Sequence, residues 1–146
     1  MLRLLFLSAA CLVLPLAGLL FAQWPLRELV QAYSVQANDL GQICFAVAMA
    51  FGVTAASRAG AHLVAGHHRR SPRFVATGVA LCVLPWAGFL LWSTTGPVWQ
   101  SVRTLEKFPE TLDPGYFLIR VALWLLVVLV LLHALAGLRR TWSRNA

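Results

Sequence analysis

The sequence has 146 residues, of which 60% are hydrophobic and 12% are charged, and its mean hydropathy is +0.74. Soluble domains carry about twice that charged fraction, so the composition excludes a compact soluble enzyme, a disordered tail and a disulfide-rich secreted module. The net charge of +7 does not indicate nucleic-acid binding, because the basic residues border apolar runs and form no stripe interleaved with aromatic residues. Composition therefore predicts an all-α integral membrane protein.

The first charge-free run predicts a membrane helix near 4–23, with Pro15 inside it. Arg3 and the small residue Ala22 leave a cleaved signal peptide as an alternative, although the apolar run is longer than the roughly 7–15 residues usual for such a segment. Apolar residues then recur at helical spacing between 24 and 36, which predicts either a short helix lying on the membrane surface or an ordinary loop.

Three further charge-poor runs predict membrane helices near 38–57, 74–95 and 116–138. Arg120 lies near the end of the last run, where its long side chain can reach the membrane surface. Small residues in the second helix, including Gly52, indicate a face that lets another helix approach closely, either within this chain or in a partner. No repeat or linker interrupts the pattern, so we expect a single membrane domain over 1–146 with four transmembrane helices.

The charged residues divide between the two sides of this arrangement. The acidic residues all fall in the connections between the first and second or the third and fourth helices: Glu28, Asp39, Glu106, Glu110 and Asp113. Eight cations and no acid fall at the termini and in the middle connection: Arg3, Arg58, Arg69, Arg70, Arg73, Arg139, Arg140 and Arg144. The positive-inside rule then predicts a multi-pass membrane protein with both termini and the middle connection cytoplasmic.

The sequence offers little chemistry for catalysis or cofactor binding. It has no paired acids within a span, no recognisable Ser/His/Asp set and no phosphate-binding loop, so we expect neither an enzyme nor a cofactor. His62, His67 and His68 cluster without an acid or cysteine, which favours solvated side chains over a metal site. His133 is expected to bond across to another helix. Two alternatives stay open: a membrane redox or haem-anchoring subunit that uses His62 and His133, and a stand-alone small membrane transporter.

Several short motifs resemble those of a known family. They are Asn38-Asp39-Leu40, Gly52, Arg58 with His62-Leu63-Val64, Glu106, Pro114 with an aromatic residue at Tyr116 or Phe117, Arg120, and Arg139-Arg140. This set is similar to the small, Q-type membrane subunit of tripartite ATP-independent periplasmic (TRAP) transporters. His133 stands where that family frequently has Gln.

The resemblance implies a division of labour. A periplasmic binding protein would capture an organic anion, a large TRAP membrane subunit would carry out its sodium-coupled uptake, and this chain would brace the large subunit. Family-motif or subunit-contact roles would fall on eight residues: Asp39, Gly52, Arg58, His62, Glu106, Pro114, Arg120 and His133. Membrane lipid would be the further partner, with Arg58 and His62 at the level of the inner headgroups.

Overall fold

The computed structural model describes residues 2–29, 35–59 and 72–143. Within these ranges the chain forms four α-helices and no β-strand: α1 (Leu2–Leu29), α2 (Val35–Ala59), α3 (Pro72–Thr104) and α4 (Tyr116–Ser143). The prediction of an all-α fold is thus confirmed.

Three of the helices are long and apolar enough to cross a membrane, over Val35–Ser57, Phe74–Thr104 and Tyr116–Ser143. A shorter apolar helical segment, Ala10–Pro25, lies within α1. Spanning length is therefore confirmed for the second, third and fourth predicted membrane helices. The sidedness of the termini stays a prediction.

The helices are longer than their charge-free runs indicate. Of the predicted surface helix 24–36, residues 24–29 continue α1, residues 35–36 begin α2, and 30–34 lie outside the described residues. α3 extends nine residues past the predicted end at 95 and continues through Gly96 and Pro97. In the turns before this proline, the hydroxyls of Thr94 and Thr95 donate to the carbonyls of Leu90 and Leu91 of the same helix, a back-bonding common for such residues in helices.

The described helices pack in the order α1, α2, α4, α3. Contacts join α1 to α2, α2 to α4, and α4 to α3, and within the described ranges no other pair of helices is in contact. A closed four-helix bundle would bring each helix against at least two neighbours around a shared core. This chain instead forms an open layer, with α1 and α3 at its two edges.

The seams of this layer are made of small side chains. Five of its buried apolar residues are alanines: Ala50, Ala80, Ala87, Ala122 and Ala134. Small residues let helix backbones approach closely, which is how helices associate when lipid already solvates their larger side chains. Many of the large apolar side chains are exposed, up to Trp92 at 88%. An open layer with outward apolar side chains suits a lipid or protein surround.

Candidate functional site

The connection between α3 and α4, residues 105–115, is an ordered loop that begins with a helix-ending motif. The Leu105 amide donates to the Val102 carbonyl (3.3 Å), and the Glu106 amide donates to the Ser101 carbonyl (3.0 Å). These two bonds define a Schellman motif, in which the residue after the helix adopts the left-handed conformation. Leu105 does so with φ 48°. Glycine usually fills this position, so a leucine there carries strain of about 1 kcal/mol or more.

The rest of the loop closes on itself. The Phe108 amide donates to the Asp113 carbonyl (2.9 Å), and the Leu112 amide donates to the Phe108 carbonyl (3.0 Å). Lys107 and Pro114 face each other across an isolated antiparallel bridge. Pro114 therefore lies where the loop returns toward its own start, just before α4 begins.

An aromatic residue anchors the loop on the helices. Phe108 is only 3% exposed, and its ring meets that of Tyr116 edge to face, with 5.7 Å between centroids. Gly115 passes so close that a Cβ there would lie 2.9 Å from Phe108 Cε2 and 3.4 Å from Ile43 Cδ1. Only glycine fits this backbone approach without displacing the ring. The loop is thus fastened to the first turn of α4 and to α2.

We call Asp39, Ser101, Glu106, Thr111 and Arg120 the polar node. Glu106 uses both of its carboxyl oxygens: one accepts from Ser101 Oγ, and Oε1 lies 2.8 Å from Arg120 Nη2. The Arg120 guanidinium also lies over the Tyr116 ring, 5.5 Å from its centroid. The two side chains of the ion pair are 38% and 31% exposed. At such exposure an ion pair stabilises by only about 0–1 kcal/mol, so its main effect is to fix the ends of α3 and α4 together.

The second half of the polar node ties the loop to α2. Thr111 Oγ1 donates to Asp39 Oδ2 at 2.7 Å, and the same hydroxyl accepts from the Asp113 amide at 3.3 Å. Asp39 is buried, with 8% of its surface exposed. It lies in the second turn of α2, four residues after Val35, so its observed partner is the α3–α4 loop and not the helix terminus. The polar node therefore joins α2, α3 and α4 at one end of the layer.

The eight residues singled out from the sequence have different outcomes. Asp39 bonds to Thr111 of the α3–α4 loop, Glu106 of that loop pairs with Arg120, and Pro114 lies in the same loop. Gly52 is exposed on α2, and nothing would lie within 4 Å of a Cβ there. Arg58 belongs to the end of α2, but its side chain, like the whole of His62, lies outside the described residues. His133 is at the opposite end of α4, in a separate groove.

Sequence reasoning missed Ser101, Phe108, Thr111 and Gly115. Ser101 lies near a helix end and Thr111 lies in a loop. Hydroxyl residues are common at such places, so neither gives a distinctive signal in the sequence. Gly115 after Pro114 reads as an ordinary turn. Phe108 is the one with a usable signal, because it is an apolar aromatic among charged and turn residues.

A cleft of about 370 Å³ opens beside the polar node, between α3 and α4. Its lining is mostly apolar, with Tyr116 and Arg120 at one end and Trp124 among its walls. The Trp124 indole donates to Thr95 Oγ1 at 3.0 Å. Across the ranges that the structure covers, no three His, Cys, Asp or Glu side chains gather closely enough to hold a metal ion.

Fold and site together define a class: an all-helical protein with membrane-length apolar helices and a polar node at one end of the layer. No protein-family model matches the chain, and neither a curated protein nor a solved structure matches it.

Proposed function

We propose that this chain is the small permease subunit of a TRAP-type secondary transporter of the bacterial inner membrane. In this role it braces the large translocating subunit while a periplasmic binding protein delivers an organic anion for sodium-coupled uptake. In this proposal the substrate site belongs to the large subunit, and this chain has a structural role.

The observation that carries the proposal is the open layer of helices. A brace needs a broad apolar surface for its partner and for lipid, and both edge helices offer one because each contacts a single neighbour among the described helices. A stand-alone transporter needs charged or broken-helix elements along a pathway between its helices. The one ion pair within the described ranges, Glu106–Arg120, is instead at the end of the layer and contacts Ser101 of the same chain.

The arrangement of the family-like residues also supports the proposal. Asp39 accepts a hydrogen bond from Thr111 of the α3–α4 loop, and Glu106 of the same loop pairs with Arg120 of α4. Rigid attachment of α2, α3 and α4 at one end is what a static scaffold requires, since its helices must hold their spacing while the partner moves.

Purification of the tagged chain from its native membranes in mild detergent tests this function. We expect a much larger polytopic protein to co-purify in fixed stoichiometry, and the isolated chain in liposomes to give no solute flux. Flux through the chain alone would favour the stand-alone transporter. A haem absorption band in the purified protein would favour the redox alternative.

Uptake measurements test the division of labour. Asp39→Ala, which removes the acceptor of the Thr111 hydrogen bond, is expected to reduce transport and co-purification partially while leaving the preference among substrates unchanged. Glu110→Ala is the matched control, because Glu110 is an exposed acid of the same loop region. A changed substrate preference in Asp39→Ala would show that this subunit takes part in recognition and would contradict a purely bracing role.

A further inference from the structure

A groove of about 830 Å³ lies between α2 and α4, at the end of the layer opposite the polar node. Its walls include Leu132, Ala136 and Gly137 of α4, while Thr54, His133 and Arg140 contribute polar groups. The volume falls within the range of about 300–1,000 Å³ that is typical of small-molecule sites. The groove therefore has the size of a site for a whole molecule and not only for an ion.

The two titratable side chains of the groove have no partner among the described residues. Within those ranges the only ion pair is Glu106–Arg120, so Arg140 has none, and no hydrogen bond to the His133 ring is formed. Thr54 donates its hydroxyl to the Ala50 carbonyl on its own helix (3.4 Å), and does not bond to His133 across the groove. The expected bond from His133 to another helix is thus not made within the described residues.

Unpaired polar groups at membrane depth are costly unless a ligand or water satisfies them. The charge-free run of α4 ends at Leu138, and Arg139 and Arg140 follow it directly. Side chains on a helix lean toward its N-terminus, so Arg140 reaches back over Ala136 and Gly137 into the groove. The groove thus has mixed apolar and polar walls, with the exposed Arg140 toward the end of α4 and His133 two helical turns nearer its middle.

We propose that this groove binds an anionic phospholipid. The phosphate lies on the Arg140 guanidinium, an acyl chain follows the wall made by Leu132 and Ala136, and the His133 ring faces the lipid's polar backbone. Charge complementarity supports this occupant, because basic pockets between helices at the membrane surface recognise lipid phosphate. A partner's transmembrane helix fits less well, since it would leave the Arg140 charge without an anion. The inference does not depend on the proposed transport role.

Native mass spectrometry of the full-length chain in detergent tests the site. Phosphatidylglycerol and phosphatidylcholine with the same acyl chains are added separately, and the retained lipid is counted. We expect preferential retention of phosphatidylglycerol. Arg140→Gln should weaken that retention about fivefold, the effect of removing one cation that contacts lipid phosphate.

Arg139→Gln is the matched control. It removes one positive charge next to Arg140, and Arg140 lines the groove whereas Arg139 does not. Gly137→Leu is a second variant that blocks the groove and keeps both arginines. A Cβ at residue 137 would meet nothing within 4 Å, so the added side chain begins in open space. Arg139→Gln should change retention by less than about twofold, and Gly137→Leu should weaken it as much as Arg140→Gln does.

Four results would overturn the site. Equal retention of the two lipids would show no headgroup recognition. If Arg139→Gln and Arg140→Gln weaken phosphatidylglycerol retention equally, the lipid is attracted to a general basic surface. Full retention in Gly137→Leu would lead to the same conclusion. Finally, a photoreactive residue at Leu132, which is 56% exposed, should form lipid adducts in native membranes, whereas adducts to another protein alone would assign the groove to a partner helix.

Discussion

Thr111 connects two parts of the chain that are separated by 72 residues, through the hydrogen bond from its hydroxyl to Asp39. The acceptor is a buried acidic side chain on α2, and the donor lies in the α3–α4 loop. Loss of one partner leaves the other buried without its bond, which costs more than the bond itself contributes. The contact is therefore a sensitive point for the position of the loop on α2.

Thr111→Val should lower the free energy of unfolding by about 1–3 kcal/mol, because the valine keeps the shape of the side chain and removes the donor. Thermal unfolding followed by circular dichroism in detergent measures this change. Thr104→Val is the control, since the Thr104 hydroxyl donates to the Gln100 carbonyl of its own helix (3.0 Å) and is exposed. Equal stability of the two variants would show that the Asp39 contact does not hold the loop.

Gly115 tests the packing of the same loop on α4. Gly115→Ala would place a Cβ 2.9 Å from Phe108 Cε2, and the Phe108 ring is buried against Tyr116 and has little room to move. We expect a loss of about 1–3 kcal/mol from overpacking. Gly96→Ala, in α3 with open space around its Cβ, should instead be neutral or stabilising by up to about 1 kcal/mol. A neutral Gly115→Ala would contradict the close approach.

At the scale of helices, charge and hydropathy were sufficient to locate each element but not its ends. The apolar runs place α2, α3 and α4 where the structure has them. The prediction ended α3 at 95, just before Gly96 and Pro97, which are typical of a helix end in sequence. The helix continues through both residues, as membrane helices can. Its 33 residues extend about 50 Å at 1.5 Å per residue, well beyond a hydrocarbon core of about 30 Å.

The order of packing could not be predicted from the sequence. Alternation of apolar and charged runs specifies how often the chain crosses, whereas the choice of neighbours depends on which small residues meet. Ala50 of α2, Ala87 of α3 and Ala122 of α4 are buried. Ala46 and Gly52, which are also small residues of α2, are not buried. Short connections would also permit a closed bundle, and nothing in the charge pattern excludes it.

Cross-linking distinguishes the open layer from a closed bundle. In a variant whose Cys11, Cys44 and Cys82 are replaced by alanine, cysteines at Leu16 and Gly41 should react with a short bismaleimide, because Leu16 Cδ1 lies 3.8 Å from a Cβ built at Gly41. Cysteines at Leu16 and Trp86 should not, since Trp86 is 56% exposed and α1 and α3 do not touch within the described ranges. Efficient intramolecular linkage of the second pair would indicate a closed bundle.

On the scale of the whole molecule, the candidate site was predictable only in part. Asp39, Glu106 and Arg120 stand out as charges beside apolar runs, so sequence reasoning selects them. Their partners Ser101 and Thr111 were not identified, because a hydroxyl gains its meaning from tertiary contact and not from position in the chain. The arrangement places polar contacts at one end of three helices and leaves large apolar side chains exposed along them.

The central claim is that the chain crosses the membrane an even number of times, with the polar node on the side opposite both termini. Single cysteines at Leu2, Glu110 and Ser143, in a background without the native cysteines, test it by labelling with a membrane-impermeant maleimide. The cysteine at Glu110 should react in intact cells, and those at Leu2 and Ser143 only after the membrane is opened. Labelling of Glu110 and Ser143 from the same side, or of Leu2 and Ser143 from different sides, would contradict the account.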